Sequence, residues 1–252
     1  DGGATFGARL RVGVDGTTGL RGLLADEEVA SGAVIFELPA QLILTADVAR
    51  EQGTAWQACP KGGGEGGGSG SSCSAADDAA PEVMSPTHTA LALFLLEQRA
   101  GGAPWQPWVA ALPETFDGFP LHYSQDDLAG LQASPLRRVV ELDQDAVARD
   151  FAAIVGTRGN MTLEEFQWAR LAVKSRVFGL KSLSGGMLDE DVVAMVPLAD
   201  FVNHPPDGIV EENVAPSYDV QTGKFRLKAV RGIKRGAGMY WDYGFRSNRH
   251  SL

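Results

Sequence analysis

Residues 224 to 229 alternate strictly between basic and apolar. Lys224, Arg226 and Lys228 fall on one side of the alternation, Phe225, Leu227 and Ala229 on the other. A period of two predicts a half-buried strand. Gly232 and Gly236 mark turns before a second short run, Met239 to Trp241. An apolar stretch precedes this region, running from Met195 through Pro197 to Asn203 and His204, and an aromatic-glycine step, Tyr243-Gly244, follows it. The other end of the chain is also strand-rich. Leu10, Val12 and Val14 alternate, Gly19 to Leu23 is a turn flanked by apolar residues, and Val34 to Leu38 reads as a strand stopped by Pro39.

Between these ends the period changes. Residues 85 to 180 read as helical. Ser85 and Pro86 form an N-cap and first-turn pair before Leu91 to Leu96, and Gly101-Gly102 stop that helix. Ser134-Pro135 starts another helix running toward Ile154. Thr162 and Glu165 are spaced as a capping box. Phe166, Ala169, Val173 and Val177 then share one helical face. A tract from Gly62 to Ser72 is almost entirely glycine and serine. It cannot bury enough apolar area to offset its ordering entropy, so a flexible insertion is expected. No Gly-Lys-Ser/Thr follows, which argues against a phosphate-cradling loop.

The 252 residues allow one large domain or two small ones. A net charge of −10 argues against binding to nucleic acid or anionic membranes and leaves a basic protein partner open. Two cysteines, Cys59 and Cys73, are too few for cysteine-rich zinc clusters and read as free thiols. No apolar run approaches a membrane span. The chain opens Asp1-Gly2-Gly3 without Met, so native residues are expected to be missing at both ends.

Two short motifs then take on meaning together. Asp200-x-x-Asn203-His204 and Tyr243-Gly244-x-x-Ser247-Asn248 stand in order, about forty residues apart. Upstream are Leu93 to Glu97, Trp108, Leu112-Pro113 and Ser175-Arg176-x-Phe178. With these the chain resembles the SET-domain protein methyltransferases, and within them the Rubisco large-subunit methyltransferase-like group. The resemblance covers most of the chain outside the glycine tract. Two positions depart from the pattern: Leu20 replaces the usual first glycine of a Gly-x-Gly-Leu turn, and Gly238 stands where an acidic residue is usual.

The resemblance implies an α+β fold, a β-rich, pseudoknotted SET core with an inserted helical region. Residues 1–50 and 186–252 would form the core, 51–84 a flexible low-complexity insertion, and 85–185 the helical insert. It implies S-adenosyl-L-methionine as cofactor. Gly19, Arg21, Gly22, Ser175, Arg176, Asn203, His204 and Tyr243 would bind it, with Arg176 on the carboxylate. Ser175, Arg176, Phe178 and Asp200 would face the protein substrate, through main-chain carbonyls at 175, 176 and 200. Tyr243 would be catalytic, its hydroxyl beside the reacting centre. Gly19 to Leu23 would touch the cofactor mainly through backbone, with Gly22 leaving room for close approach. Ordinary structure offers an alternative for each of these roles. Tyr243 is otherwise a strand-end tyrosine, Arg176 a helix-end arginine, Phe178 a core residue, and Gly19 to Leu23 a plain turn. Asp200 and His204 are metal ligands only if their segment is helical; Pro197 and the apolar pattern favour a strand, so no metal is expected.

The implied activity is protein-lysine N-methylation of a non-histone protein. Protein-histidine methylation and a catalytically silent SET scaffold are the alternatives. A monomer in the chloroplast is expected, with cytoplasm or nucleus as the alternative compartment.

Overall fold

A computed structural model describes residues 3–53, 86–101, 104–155 and 161–244. The glycine tract, Ser85, Gly102, Ser247 and Asn248 lie outside the described residues. The chain divides into two units: Asp1–Val48 with Arg176–Phe245, and Ala49–Ser175 with Arg246–Leu252.

The first unit holds all nine strands found among the described residues: β1 (Thr5–Phe6), β2 (Leu10–Val14), β3 (Arg21–Ala25), β4 (Val34–Pro39), β5 (Leu44–Thr45), β6 (Val177–Gly179), β7 (Val193–Met195), β8 (Val214–Asp219) and β9 (Lys224–Ala229). They form three antiparallel sheets in the orders β1-β4-β9-β8, β2-β3 and β5-β7-β6. The alternation in β9 works as its period predicts. Phe225, Leu227 and Ala229 are fully buried, and Phe225 lies against Phe36 at 6.2 Å between ring centroids. On the other face Arg226 Nε donates to Glu37 Oε1 at 2.6 Å, from the residue directly opposite. Apolar pairing on one face and charge pairing on the other hold one register.

Two stretches differ from the strand expectation. Met239 to Trp241 joins no ladder; Gly238 and Tyr240 make single bridges, to Leu24 and to Asn203. The run from Met195 to His204 is a strand only as far as Met195. Pro197 offers no N–H to a ladder, Leu198 takes a positive φ of 70°, and Ala199–Phe201 form one 3-10 turn. Val177 to Gly179, expected on the helical side of the chain, pair with β7 because the helix before them ends at Arg176.

The second unit is helical: α1 (Ala46–Gln52, shared at its start with the first unit), α2 (Pro86–Arg99), α3 (Gln106–Val109), α4 (Gln125–Gly130), α5 (Pro135–Val155) and α6 (Leu163–Arg176). The Thr162/Glu165 capping box forms with both hydrogen bonds, at 2.8 and 3.2 Å. A second box, Ser124 with Asp127, starts α4. Ser134 caps α5 through Leu136 N–H, and Pro135 takes its first position. Phe166, Ala169 and Val173 are buried on α6. Between them sits Arg170, 1% exposed, donating to Asp150 Oδ2 at 2.5 Å and Thr89 Oγ1 at 3.0 Å. A charge so deep persists only when paired and hydrogen-bonded. No helix among the described residues is long and apolar enough to cross a membrane.

Candidate cofactor site

The site grows from the segment after β7. The 3-10 turn leaves Asp200 and Phe201 buried and releases the chain at Val202 toward Asn203. Asn203 is held from both sides. Its N–H donates to Met239 O at 3.3 Å and its carbonyl accepts from Trp241 N–H at 3.0 Å, a parallel bridge to Tyr240. Its side chain donates from Nδ2 to Arg21 O at 3.1 Å. Three segments distant in sequence therefore meet at one asparagine.

Gly22 explains how they fit. A Cβ there would lie 2.4 Å from Asn203 Nδ2 and 2.9 Å from Phe201 O. The missing side chain makes room for Asn203 and lets the two backbones approach closely. Gly19 has a different need: its φ is +71°, with open space beside it. Leu20 is 39% exposed, and the turn closes through Gly19 N–H to Asp15 O at 2.8 Å. Leucine at position 20 therefore leaves the hairpin intact.

Arg176 and Arg21 bring their guanidinium carbons to 5.3 and 5.4 Å from the centre of the Phe201 ring. Such contacts are favourable for each cation, but the two cations repel. Arg176 Nη1 donates to Asp200 O, and Arg176 Nε, shut off from solvent, has no hydrogen-bond partner among the described residues. Burial pushes the Arg176 guanidinium below its ordinary range; Asp200 and Tyr243 oppose that shift and Arg21 adds to it. An orphaned donor and a second cation on the same ring suit a ligand carboxylate.

Tyr243 completes the region. Its hydroxyl donates to Val202 O at 2.5 Å and its N–H donates to His204 Nδ1 at 3.2 Å. Nδ1 is thus the acceptor nitrogen, which puts the proton of a neutral ring on Nε2. The rings of His204 and Trp241 flank it at 5.5 and 5.3 Å, and Phe178 stacks on Trp241 at 5.2 Å and 20°. Phe178 is buried and also meets Phe225, so it is a core residue whose one face supports the aromatic row.

Arg21, Gly22, Arg176, Asp200, Asn203, His204 and Tyr243 are thus brought together. Ser175 falls in the helical unit, at the end of its Ala49–Ser175 segment, and its hydroxyl turns back to Leu171 O at 2.7 Å. The carbonyl of Asp200, expected to face a substrate amine, already accepts from Arg176. No cluster of three or more candidate metal ligands occurs among the described residues. Sequence reasoning missed Asp15, Thr18, Phe201, Tyr240 and Trp241. Asp15 and Thr18 carry ordinary turn chemistry, and nothing local to them signals partners more than two hundred residues away.

The fold and these motifs define a class, and comparison agrees: the family described as SET domain matches residues 20–244, so the chain belongs to the SET-domain family. An actin-histidine N-methyltransferase of Danio rerio is 27% identical over 171 residues, 63% of this chain and 27% of that protein. A chloroplastic [fructose-bisphosphate aldolase]-lysine N-methyltransferase of Arabidopsis thaliana is 24% identical over 248 residues, 92% of this chain and 44% of that protein. A crystal structure of the SET domain of LSMT bound to MeLysine and AdoHcy superposes with a TM-score of 0.69 at 21% identity, covering 98% of this chain and 52% of that one. The chain spans about half the length of these relatives or less.

Proposed function

We propose that the chain is an S-adenosylmethionine-dependent protein-lysine N-methyltransferase acting on a non-histone protein. The observation that carries this is the pair of cations on Phe201, with a buried Arg176 donor left over, beside Asn203, His204 and Tyr243. S-adenosylmethionine supplies, when bound, a methyl group on a positively charged sulfur.

Everything else falls to the chain's own residues. Arg176 holds the cofactor's carboxylate, with Arg21 strengthening the local positive field. Asn203 and Gly22 fix the segments on which the backbone donors sit, so that little reorganisation is needed on binding. The row Phe178, Trp241, Tyr243 and His204 runs from the buried Phe178 out to the exposed Tyr243 and His204, so its outer end is open to incoming ligands. The Tyr243 hydroxyl, tethered to Val202 O, is a fixed dipole for the reacting centre. Asp200 O keeps a second lone pair for an unprotonated acceptor amine.

The actin-histidine relative favours a second reading, a histidine acceptor, since its identity to this chain is no lower than that of the lysine-directed relative. The chloroplastic Arabidopsis relative supports a plastid target. The deciding experiment incubates the chain and methyl-labelled cofactor with peptides from the Rubisco large subunit, from aldolase and from the histidine region of actin. Mass spectrometry should find methylated lysine. Methylation confined to histidine establishes the second reading. Cofactor binding without any transfer makes the chain a silent scaffold.

A further inference from the structure

Asp15 lies outside every motif of the family resemblance, yet its carboxylate is among the most heavily bonded side chains of the first unit. It is 4% exposed. Oδ1 accepts from Thr17 N–H at 2.6 Å; Oδ2 accepts from Gly238 N–H at 2.7 Å and from the Tyr240 hydroxyl at 2.9 Å. The Tyr240 oxygen also meets Thr18 Oγ1 at 2.7 Å, and Thr18 Oγ1 accepts from Leu20 N–H at 3.2 Å.

The protons can be assigned. A carboxylate only accepts, so Tyr240 spends its one hydroxyl proton on Asp15. Thr18 must then donate to the Tyr240 oxygen. The result is a directed relay, Leu20 N–H to Thr18 to Tyr240 to Asp15, ending on an anion where each bond polarises the next. It ties the turn at 15–20 to the segment at 238–240, the two segments that bracket Asn203. Tyr240 bridges Asn203, and Asn203 Nδ2 returns to Arg21 O, so the relay closes a ring.

Gly238 leaves the room that the Asp15 carboxylate takes. A Cβ at 238 would lie 2.4 Å from Asp15 Oδ2 and 2.7 Å from the Tyr240 hydroxyl. A side chain at 238 has no room here, because the Asp15 carboxylate and the Tyr240 ring fill that volume.

We propose that Asp15 is a positioning residue of the cofactor site, acting through Tyr240 and Thr18 to hold the turn that carries Gly19 and Arg21 against Asn203. This rests on the cofactor reading above. Asp15 does not touch the reacting atoms, so its loss should weaken cofactor binding and leave the chemical step alone.

The test titrates S-adenosylhomocysteine calorimetrically into the chain and into Asp15→Ala, Thr18→Ala and the double variant. Methyl-transfer rates are then followed against cofactor concentration, with circular dichroism reporting the fold. Asp15→Ala should raise Kd and the cofactor KM at least about tenfold, as expected for losing hydrogen bonds to a charged group, while kcat at saturation changes little. Thr18→Ala should raise Kd about threefold or more, and the double variant should be no worse than Asp15→Ala, because Thr18 works only through the relay. An unchanged Kd in Thr18→Ala overturns the relay even if Asp15→Ala fails to fold. A fall in kcat with unchanged Kd overturns the positioning role. A wild-type chain that binds no cofactor instead overturns the reading on which the proposal rests.

Discussion

The two units are wired over different distances in sequence. In the helical unit the polar contacts that start and brace the helices are short-range, Ser124 with Asp127, Thr162 with Glu165 and Arg137 with Glu141, while buried Arg170 reaches further, to Asp150 and Thr89. In the strand unit they run across almost the whole chain: Asp15 to Gly238, Thr18 to Tyr240, Arg21 to Asn203, Glu37 to Arg226. The candidate site belongs to the long-range unit. Backbone groups from distant segments can be fixed against one another only by such contacts, and a ligand held through backbone needs them fixed. The helical unit, built from caps and buried faces, should govern stability more than chemistry.

The largest expected effect tests the chemical side of this contrast. Tyr243→Phe keeps the ring between His204 and Trp241 and removes only the hydroxyl that meets Val202 O. Folding should lose about 1 kcal/mol, one hydrogen bond. Turnover at saturating cofactor should fall roughly 100- to 1000-fold, the usual cost of a preorganised dipole at a reacting centre. Near-wild-type turnover in a folded, cofactor-binding variant would remove Tyr243 from catalysis.

A smaller effect belongs to the helical unit and should leave cofactor binding untouched. Burial, with Arg170 and Lys174 beside it, pushes His88 down to about 4 from its ordinary 6.5. The folded form therefore keeps His88 neutral while the unfolded chain binds a proton below about pH 6.5. Its contribution is fully present above that pH and is lost as pH falls through the window toward 4. The full shift corresponds to about 3 kcal/mol. Urea unfolding at pH 7 and near pH 4.5 should show a steeper loss in the wild type than in His88→Gln. Identical pH dependence in the two proteins would remove His88 as its source.

What could be read from the sequence divides along the same line. The helices and their starts were legible because caps and faces are written within four residues: Ser134-Pro135, Thr162 with Glu165, Phe166 with Ala169 and Val173. β9 was legible because its alternation is local. Arg176, Asn203, His204 and Tyr243 came from motifs, and the structure gathers them in one region. The segment at 195–204 was misread as one strand because the positive φ at Leu198 and the 3-10 turn leave no pattern in an apolar run. The need for glycine at 22 was legible as a close approach, but its partner there, Asn203, lies about 180 residues away and leaves no local signal. Asp15 was passed over entirely, since its importance lies in partners at 238 and 240.

The central claim is that Arg176 and the residues around Phe201 form a carboxylate-binding cofactor site. Calorimetric titration of S-adenosylhomocysteine into the wild-type chain and into Arg176→Ala tests it most directly, with circular dichroism confirming that both are folded. Saturable binding to the wild type is expected, weakened at least about tenfold in Arg176→Ala by the loss of charged hydrogen bonds to the carboxylate. Equal affinity in the two proteins, or no binding to a folded wild type, would contradict it.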